Sequence, residues 1–377
     1  MEGKLEVIVA GGGVAGLEAA FALRELAGAR VAVTVVSAEA EFVYRPLAVR
    51  EPFTEVPPER YALREVIADA GAEHVHDSFR WLDPQRRTMH TRGGRELGYD
   101  ALVLALGARA RPYFRRATTL RYGHLREQLA ELAGAVERRE LRRLAVVIPS
   151  RVGWPLPVYE LCLLVARHAR ERDLELEITL ATREEAPLAW FGARAAEAVA
   201  EVLDEAGIRL VTGVRCEIPA AGVLSVRPGM TEIECDRVVA APQLYGPSTP
   251  GVPKRARDGF ISIDPHCQVR GLLGVYAAGD ATDFPVKFGA VAGQQADAAA
   301  ASIAALVGAC DEPPPFQPVI HGVLAGGHRP LYLSAHLIGE HAYRSELETT
   351  PCWRLPTRLA APHLASYLDS RQRAPAS

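Results

Sequence analysis

The stretch that decides the fold runs from Leu5 to Gly16 and reads LEVIVAGGGVAG. Its first half is a short apolar run typical of a buried β-strand, and its second half fits the pattern G-x-G-x-x-G at the start of a helical segment. In this pattern Gly11 permits a tight turn, Gly13 lets the backbone approach a pyrophosphate, and Gly16 allows the helix to pack closely on the strand. The phosphates bind the amide groups at the helix start. The stretch therefore predicts a dinucleotide-binding domain.

The residue that closes the second strand departs from this pattern. An acidic residue about 20 positions further on usually binds the ribose hydroxyls, but Ser37 stands there and the nearest acid is Glu39. The Ser37 hydroxyl is able to bind a ribose hydroxyl. Glu39 has two interpretations, a second ribose ligand or a solvated charge in a loop.

Short β-rich runs alternate with helical stretches along most of the chain, which is typical of a parallel α/β fold. A strand, helix and strand form the first unit, at about residues 5–10, 15–26 and 30–36. The same order recurs at about residues 144–148, 158–170 and 176–181. Further strands are expected at residues 101–105, 209–212, 237–241 and 274–277, and an alanine-rich helix at about 291–306. The repeated order predicts two Rossmann-like domains.

The composition excludes several functional classes. With 377 residues, 49% of them hydrophobic, the chain is long enough for two or three domains, and its net charge of −3 argues against a nucleic-acid-binding surface. The six cysteines are scattered without a C-x-x-C pair, so we expect free thiols and no zinc site. Residues 289–309, the longest weakly charged stretch, contain Gln294, Gln295 and Asp297 and do not fit a membrane span. We expect a cytoplasmic protein without a signal peptide.

Two further segments indicate which dinucleotide is bound. YDALVLALGA, residues 99–108, and GVYAAGD, residues 274–280, follow the glycine pattern in the chain. With it they resemble three motifs of the FAD-dependent pyridine nucleotide–disulfide oxidoreductases. The resemblance implies an FAD cofactor, with Gly107 at the end of one strand and Asp280 holding the ribityl chain.

A narrower resemblance concerns one branch of this superfamily. EFVYRPL, residues 41–47, and PVKFG, residues 285–289, are similar to segments of sulfide:quinone oxidoreductases, flavocytochrome c sulfide dehydrogenases and type-two NADH:quinone oxidoreductases. In those enzymes the first segment lies beside the isoalloxazine ring. The cofactor-binding residues that the motifs and the resemblance imply are Gly11, Gly13, Gly16, Ser37, Arg45, Gly107, Asp280 and Lys287.

Lys287 is also the candidate catalytic residue. Two-electron reduction puts negative charge near flavin N1 and the C2 carbonyl, where a helix N-terminus and a cation stabilise it. Only three of the 43 cationic residues are lysine, and Lys287 directly precedes the alanine-rich helix. A compact ammonium at that point fits this role better than a guanidinium does. The alternative is a lysine placed there by chance.

The cysteines of the sulfide-oxidising relatives are missing here. Trp154 stands where the resemblance places the first of them and His321 where it places the second, so polysulfide chemistry is not expected. Cys162 fits a buried structural residue. His321 has two interpretations, a packing residue or a proton donor to a bound quinone. His321, His328 and His336 match no metal spacing, and we expect no metal site.

The glycine turn of the second unit is poorly suited to a nicotinamide dinucleotide. It offers Gly153 alone, followed by Pro155 and Pro157, which have no amide hydrogen. We expect NADH and NADPH to bind with dissociation constants no tighter than roughly 1 mM. Arg183, after the next strand, favours NADPH over NADH.

The carboxyl-terminal segment, residues 355–368, has leucines at helical spacing flanked by arginines. Such a stripe lies on a membrane surface in some proteins. The alternatives are packing on the protein's own body or on a second subunit of a homodimer.

We thus expect an α/β fold with two Rossmann-like dinucleotide-binding domains. The FAD domain is discontinuous, at residues 1–120 and 246–312; the second domain covers 121–245, and a short piece at 313–377 covers the flavin or forms an interface. The leading hypothesis is an FAD oxidoreductase that passes two electrons from a small-molecule donor to a quinone-like or small organic acceptor, with peripheral contact at the inner membrane face. Alternatives are an NAD(P)H-dependent reductase of a ferredoxin-like protein and a non-catalytic flavin-binding sensor.

Overall fold

Two parallel β-sheets organise the computed structural model, which describes residues 3–44, 59–338, 341–350 and 361–373. The helices are α1 (Val14–Ala27), α2 (Leu63–Asp69), α3 (Leu125–Glu137), α4 (Leu156–Arg170), α5 (Ala193–Glu205), α6 (Gly289–Leu306) and α7 (Pro362–Arg373). The strands of the first half are β1 (Leu5–Ala10), β2 (Val31–Val36), β3 (Glu41–Tyr44), β4 (Glu59–Ala62), β5 (Glu73–Val75), β6 (Phe79–Asp83), β7 (Thr88–Thr91), β8 (Glu96–Gly98), β9 (Ala101–Leu104), β10 (Arg109–Arg111) and β11 (Thr118–Thr119). Those of the second half are β12 (Arg143–Ile148), β13 (Glu177–Thr182), β14 (Ile208–Val211), β15 (Arg215–Ala220), β16 (Val223–Arg227), β17 (Thr231–Glu234), β18 (Arg237–Ala240), β19 (Gln243–Tyr245), β20 (Val275–Ala277), β21 (Val319–Leu324), β22 (Leu331–Ile338) and β23 (His341–Glu348).

The first sheet gathers the predicted cofactor residues at one edge. Its order is β20-β9-β1-β2-β5, and every pairing is parallel. Ala10 pairs with both Val36 and Leu104, so the carboxyl ends of β1, β2 and β9 lie side by side. The segments that follow these ends contain the glycine turn, Ser37 and Gly107. Ligands of open α/β sheets bind at this edge.

The second sheet repeats the arrangement in the order β11-β18-β12-β13-β14, again with parallel pairing. Its carboxyl edge is marked by Ile148, which pairs with Thr182. The predicted α/β class with two Rossmann-like units is confirmed. β11, which precedes the expected domain boundary at residue 120, pairs with β18 of the second sheet.

The alanine-rich segment forms α6, a helix at the centre of the first domain. Ala296, Ala299, Ala300 and Ala304 are fully buried in one apolar cluster with Ala19 and Ala20 of α1. Small side chains let the two helix backbones approach each other closely, which explains the composition of this helix. Among the described residues, no helix is long and apolar enough to cross a bilayer.

The carboxyl-terminal helix α7 packs on the protein's own body. Leu364 and Leu368 are buried in the same cluster as α1, and the ring of Tyr367 lies 4.8 Å from that of Phe21. Three locations were expected for this segment: a membrane surface, the protein's own body or a second subunit. The described helix packs on the protein's own body. Pro362 begins the helix instead of interrupting it, because the first helical position needs no amide hydrogen. The leucines at 355 and 359 lie outside the described residues.

Candidate functional site

The glycine turn between β1 and α1 is shaped by two backbone contacts. A Cβ atom on Gly11, whose φ is +123°, would lie 2.1 Å from the Ala105 carbonyl oxygen, and one on Gly16 would lie 1.9 Å from the Gly11 oxygen. Glycine is required at both positions for the fold itself. Gly13 differs, because no atom lies within 4 Å of the place that its Cβ would take. The space beside Gly13 is open at the start of α1, where no side chain caps the helix.

Ser37 lies directly beside this turn. It is buried, and a Cβ on Gly12 would be 2.7 Å from its Oγ. The Ser37 hydroxyl accepts the Glu39 amide hydrogen at 3.3 Å. Glu39 itself is exposed. The fold therefore brings Ser37, and not the Glu39 carboxylate, into contact with the glycine turn.

Asp280 sits in a short turn after β20. The amide of the preceding Gly279 donates to Oε1 of buried Gln295 in α6 at 2.8 Å, which ties this turn to the helix. Burial raises the pKa of the Asp280 carboxyl, and the nearby Lys287 ammonium lowers it. No described residue donates a hydrogen bond to this carboxylate, although it is half-buried. Such an acceptor fits the hydroxyl groups of a ribityl chain.

Lys287 is buried, and both its side chain and its backbone amide make contacts. Its ammonium donates to the Thr282 carbonyl oxygen and lies 4.1 Å from the centre of the Phe260 ring. Its amide donates to the Gly153 oxygen at 3.2 Å. Burial lowers the pKa of Lys287 to about 8, although the carboxylates of Asp280 and its neighbours oppose this shift. Lys287 is thus largely charged at neutral pH and loses its charge as the pH rises through about 8.

The remaining predicted residues fall at different places. Gly107 follows β9 with φ +65° and nothing within 4 Å of its missing Cβ. Arg45, with the rest of the segment beside the expected flavin ring, lies outside the described residues. The start of α6 also lacks a side-chain cap and has no acid in its first turn, so its amides remain available to an electronegative group.

A cleft of about 1040 Å³ lies at the carboxyl edge of the second sheet and extends to Lys287. Gly153, the one glycine in its turn, faces Lys287: a Cβ there would lie 2.5 Å from the Lys287 Cγ. Sequence reasoning missed Glu184 in the cleft wall, which accepts the Tyr159 hydroxyl at 2.6 Å and the Thr182 hydroxyl at 3.3 Å. Burial raises the pKa of Glu184 to about 7.

Trp154 and His321 stand where the resemblance places cysteines. The Trp154 ring stacks on Phe288 at 4.4 Å and meets Phe191 edge-on at 5.8 Å. Cys162 is fully buried, and burial raises the pKa of its thiol far above the ordinary range, so it is not a nucleophile. His321 is half-buried in β21, and burial lowers its pKa.

These features define a flavoprotein with two dinucleotide-binding domains. Residues 5–302 match the family model "Pyridine nucleotide-disulphide oxidoreductase", and the chain belongs to that family. It is an FAD-dependent oxidoreductase. The sites described above fit this cofactor: the open side of Gly13 at an uncapped helix start suits a pyrophosphate, and the Asp280 carboxylate, to which no described residue donates a hydrogen bond, suits a ribityl chain.

Solved structures with the same fold include two oxidoreductases. The sulfide:quinone oxidoreductase of the bacterium Aquifex aeolicus has a TM-score of 0.80 and 16% identity, covering 98% of this chain and 90% of that chain. The reduced CoADR-RHD of Bacillus anthracis has a TM-score of 0.64 and 17% identity, covering 88% and 62%. At these identities the likeness concerns the fold alone. A comparison with curated proteins gives no match.

Gly13 and Gly16 provide a matched pair of substitutions. Gly13→Ala should leave the thermal midpoint of the apoprotein unchanged, because its Cβ meets no atom, yet it should prevent FAD from being retained on purification. Gly16→Ala should instead lower the thermal midpoint, since its Cβ lies 1.9 Å from a backbone oxygen. Flavin absorbance per chain and apoprotein melting measure both effects. Full FAD content in Gly13→Ala would place the pyrophosphate elsewhere.

Asp280→Ala should weaken FAD binding. Loss of the acceptor for ribityl hydroxyls costs about 1–3 kcal/mol, which corresponds to a rise of about 5-fold to 150-fold in the dissociation constant. The constant is measured by titrating apoprotein with FAD and following flavin fluorescence. Asp311→Ala, at an exposed site, is the matched control and should bind like the wild type. Equal affinity of the two variants would remove Asp280 from the site.

Proposed function

We propose that the protein passes two electrons through FAD from a donor other than NAD(P)H to a quinone-like or small organic acceptor. The observation that carries this proposal is the contact between Gly153 and Lys287. In a nicotinamide domain the glycines of this turn let a pyrophosphate approach the backbone. Here the Lys287 side chain occupies the open side of Gly153.

Two further features of the second cleft support the proposal. Pro155 and Pro157, at the start of α4, supply no amide hydrogen to a phosphate. The nearest acid after β13 is Glu184, and its carboxylate is engaged by Tyr159 and Thr182 instead of facing a ribose. The amide hydrogens that would bind phosphate and the acid that would bind ribose are therefore both less available to a nicotinamide dinucleotide.

The quinone part of the proposal draws on the similarity in fold to the sulfide:quinone oxidoreductase of Aquifex aeolicus. Sulfide is not proposed as the donor, because Trp154 and His321 stand where the resemblance expects cysteines. A quinone acceptor would bring the protein to the inner membrane face. Peripheral contact there is part of this proposal, as is pairing into a homodimer.

Each part of the site has a separate task in this scheme. Bound FAD supplies two-electron transfer. The amides at the start of α1 hold the pyrophosphate, with Gly13 leaving room, and Asp280 orients the ribityl chain. Lys287 and the uncapped start of α6 stabilise the negative charge that reduction brings to the pyrimidine side of the ring.

An NADPH-dependent reductase of a ferredoxin-like protein is the second candidate. Arg183, exposed at the end of β13 and in the wall of the second cleft, is the observation that favours it. A guanidinium at this position suits the 2′-phosphate of NADPH. A non-catalytic flavin sensor is the third candidate.

Lys287→Met should lower the midpoint potential of the bound FAD. Loss of about 1–3 kcal/mol of charge stabilisation corresponds to roughly 20–65 mV in a two-electron couple. Since the pKa of Lys287 is about 8, reduction above this pH draws a proton onto its neutral amine and restores the ammonium. The wild-type potential should then fall more steeply with pH, by about 30 mV per unit. Spectroelectrochemical titration at several pH values measures the potential.

Lys254→Met, at an exposed lysine, is the control for that series and should keep the wild-type potential and its pH dependence. If Lys287→Met matches this control throughout, Lys287 has no electrostatic influence on the cofactor.

The proposed function is tested by stopped-flow bleaching of the flavin absorbance with a panel of donors. NADH and NADPH at concentrations well below roughly 1 mM should bleach it negligibly, because neither binds appreciably. Another donor should bleach it, and a quinone should restore it. Rapid bleaching by NADPH at micromolar concentration would favour the ferredoxin-type reductase instead, and absence of turnover with any pair would favour the sensor.

A further inference from the structure

A buried carboxylate holds the start of the carboxyl-terminal helix. Glu18, in α1, has no exposed surface, and its two oxygens accept the amide hydrogens of His363 at 3.0 Å and Leu364 at 2.6 Å. Pro362 precedes them and has no amide hydrogen, so Glu18 satisfies the first two amides that α7 presents. A side chain of one helix thus caps another helix more than 340 residues away in the chain.

A second carboxyl group lies against the first. One side-chain oxygen of Asp297 in α6, one of Glu18 and a ring nitrogen of His363 lie within 4.8 Å of one another, and the buried Asp297 Oδ1 has no hydrogen-bond partner among the described residues. Glu18 has no exposed surface and Asp297 is half-buried, and two carboxylates this close raise each other's pKa unless a cation lies between them. A hydrogen bond between two carboxyl groups requires a proton, since an ionised carboxylate only accepts. Both Glu18 oxygens already accept amide hydrogens, so Asp297 is the better place for that proton.

We propose that Glu18 and Asp297 share one proton, and that this proton fastens α7 to α1 and α6, the two helices that hold FAD. These helices reach the cofactor site directly. The amino end of α1 is the glycine turn, one helical turn before Glu18. In α6, Gln295 stands two residues before Asp297 and binds the Gly279 amide next to Asp280. Release of α7 therefore removes packing from α1 and α6, the helices that lead to the cofactor site.

His363 is the ionisable side chain next to the pair, and the test below includes its replacement. His363 lies with Nε2 3.7 Å from Asp297 Oδ1, while its Nδ1 is hydrogen-bonded to Glu25 at 2.8 Å. Glu25 is largely exposed. At the far end of α7, Arg371 pairs with Asp69 at 3.1 Å and with Glu65 at 3.6 Å. This distal contact is between ordinary surface ions and anchors α7 independently of the carboxyl pair.

The direction of the pH dependence follows from the pair. Burial and the Glu18 charge raise the pKa of Asp297 to about 9 while α7 is docked. An undocked, hydrated aspartate titrates near 4. Docking therefore takes up a proton, so its stabilising contribution is complete at low pH, decreases as the pH rises from about 4, and is lost by about 9. FAD should be retained more tightly at the lower end of this range.

Hydrogen exchange of the FAD-loaded protein, measured by mass spectrometry in EDTA, tests the proposal. The protection factor of each α7 amide is its exchange rate in an unstructured chain divided by its rate in the protein at the same pH. This ratio corrects for the increase of intrinsic exchange with pH. In the wild type it should fall at least about tenfold between pH 7 and pH 9. In Asp297→Asn it should not change, because the amide donates to Glu18 at every pH.

Two variants identify the titrating group. In Glu25→Gln, which changes an exposed acid of α1, protection of α7 should fall with pH as in the wild type. The same result is expected for His363→Gln. The proposal is overturned if wild-type protection does not depend on pH, or if His363→Gln abolishes the dependence. It is also overturned if EDTA abolishes the protection of α7 at neutral pH, since a divalent metal ion then occupies the place of the proton.

The link to the cofactor is measured on the same samples. Released FAD is followed by its fluorescence, and its release should accelerate with pH in the wild type more than in Asp297→Asn. The comparison cancels the contribution of Lys287, which titrates in the same range in both proteins. Equal acceleration in the two proteins would show that the carboxyl pair does not influence FAD retention.

Discussion

A contact between Gly153 and Lys287 links the turn after β12 in the second domain to the start of α6 in the first, and the proposed function depends on it. The Lys287 amide donates to the Gly153 oxygen, and the aliphatic part of the side chain fills the space beside the glycine. The turn of the second domain therefore faces protein where a nicotinamide domain faces phosphate. The ammonium at the end of this side chain lies against the Thr282 carbonyl and the Phe260 ring, and its burial brings the pKa of Lys287 down to about 8.

Close packing of backbone segments also determines the structure of the first domain. Gly11 and Gly16 bring the backbone of β1, β9 and α1 together, and small residues let α1 pack on α6. Both helices begin without a side-chain cap at the cofactor edge. Farther along, they carry Glu18 and Asp297, which hold α7. One helix pair thus connects the cofactor edge to the carboxyl-terminal helix.

Periodicity and the glycine pattern were sufficient to predict four of the five strands in each parallel sheet, and α1, α4 and α6, because each has a strong local signal; β5 and β11 are short and were not predicted. The antiparallel sheet β21-β22-β23 was not predicted, although its strands follow one another in the chain and Gly326, Gly327 and Pro330 lie between the first two. In the site, the motifs predicted Ser37 and Asp280. The contact of Lys287 with Gly153 and the burial of Glu18 arise from tertiary packing, and a single acidic residue in a helix gives no sign that it is buried.

A crystal structure of the FAD-loaded protein tests most directly whether Lys287 serves both domains. We expect the pyrophosphate at the start of α1 beside Gly13, and the Lys287 ammonium within about 3.5 Å of flavin N1 or the C2 oxygen, with Gly153 still packed on its side chain. A flavin ring remote from Lys287, or a Lys287 side chain displaced from Gly153 so that the turn becomes free for a dinucleotide, would contradict this arrangement.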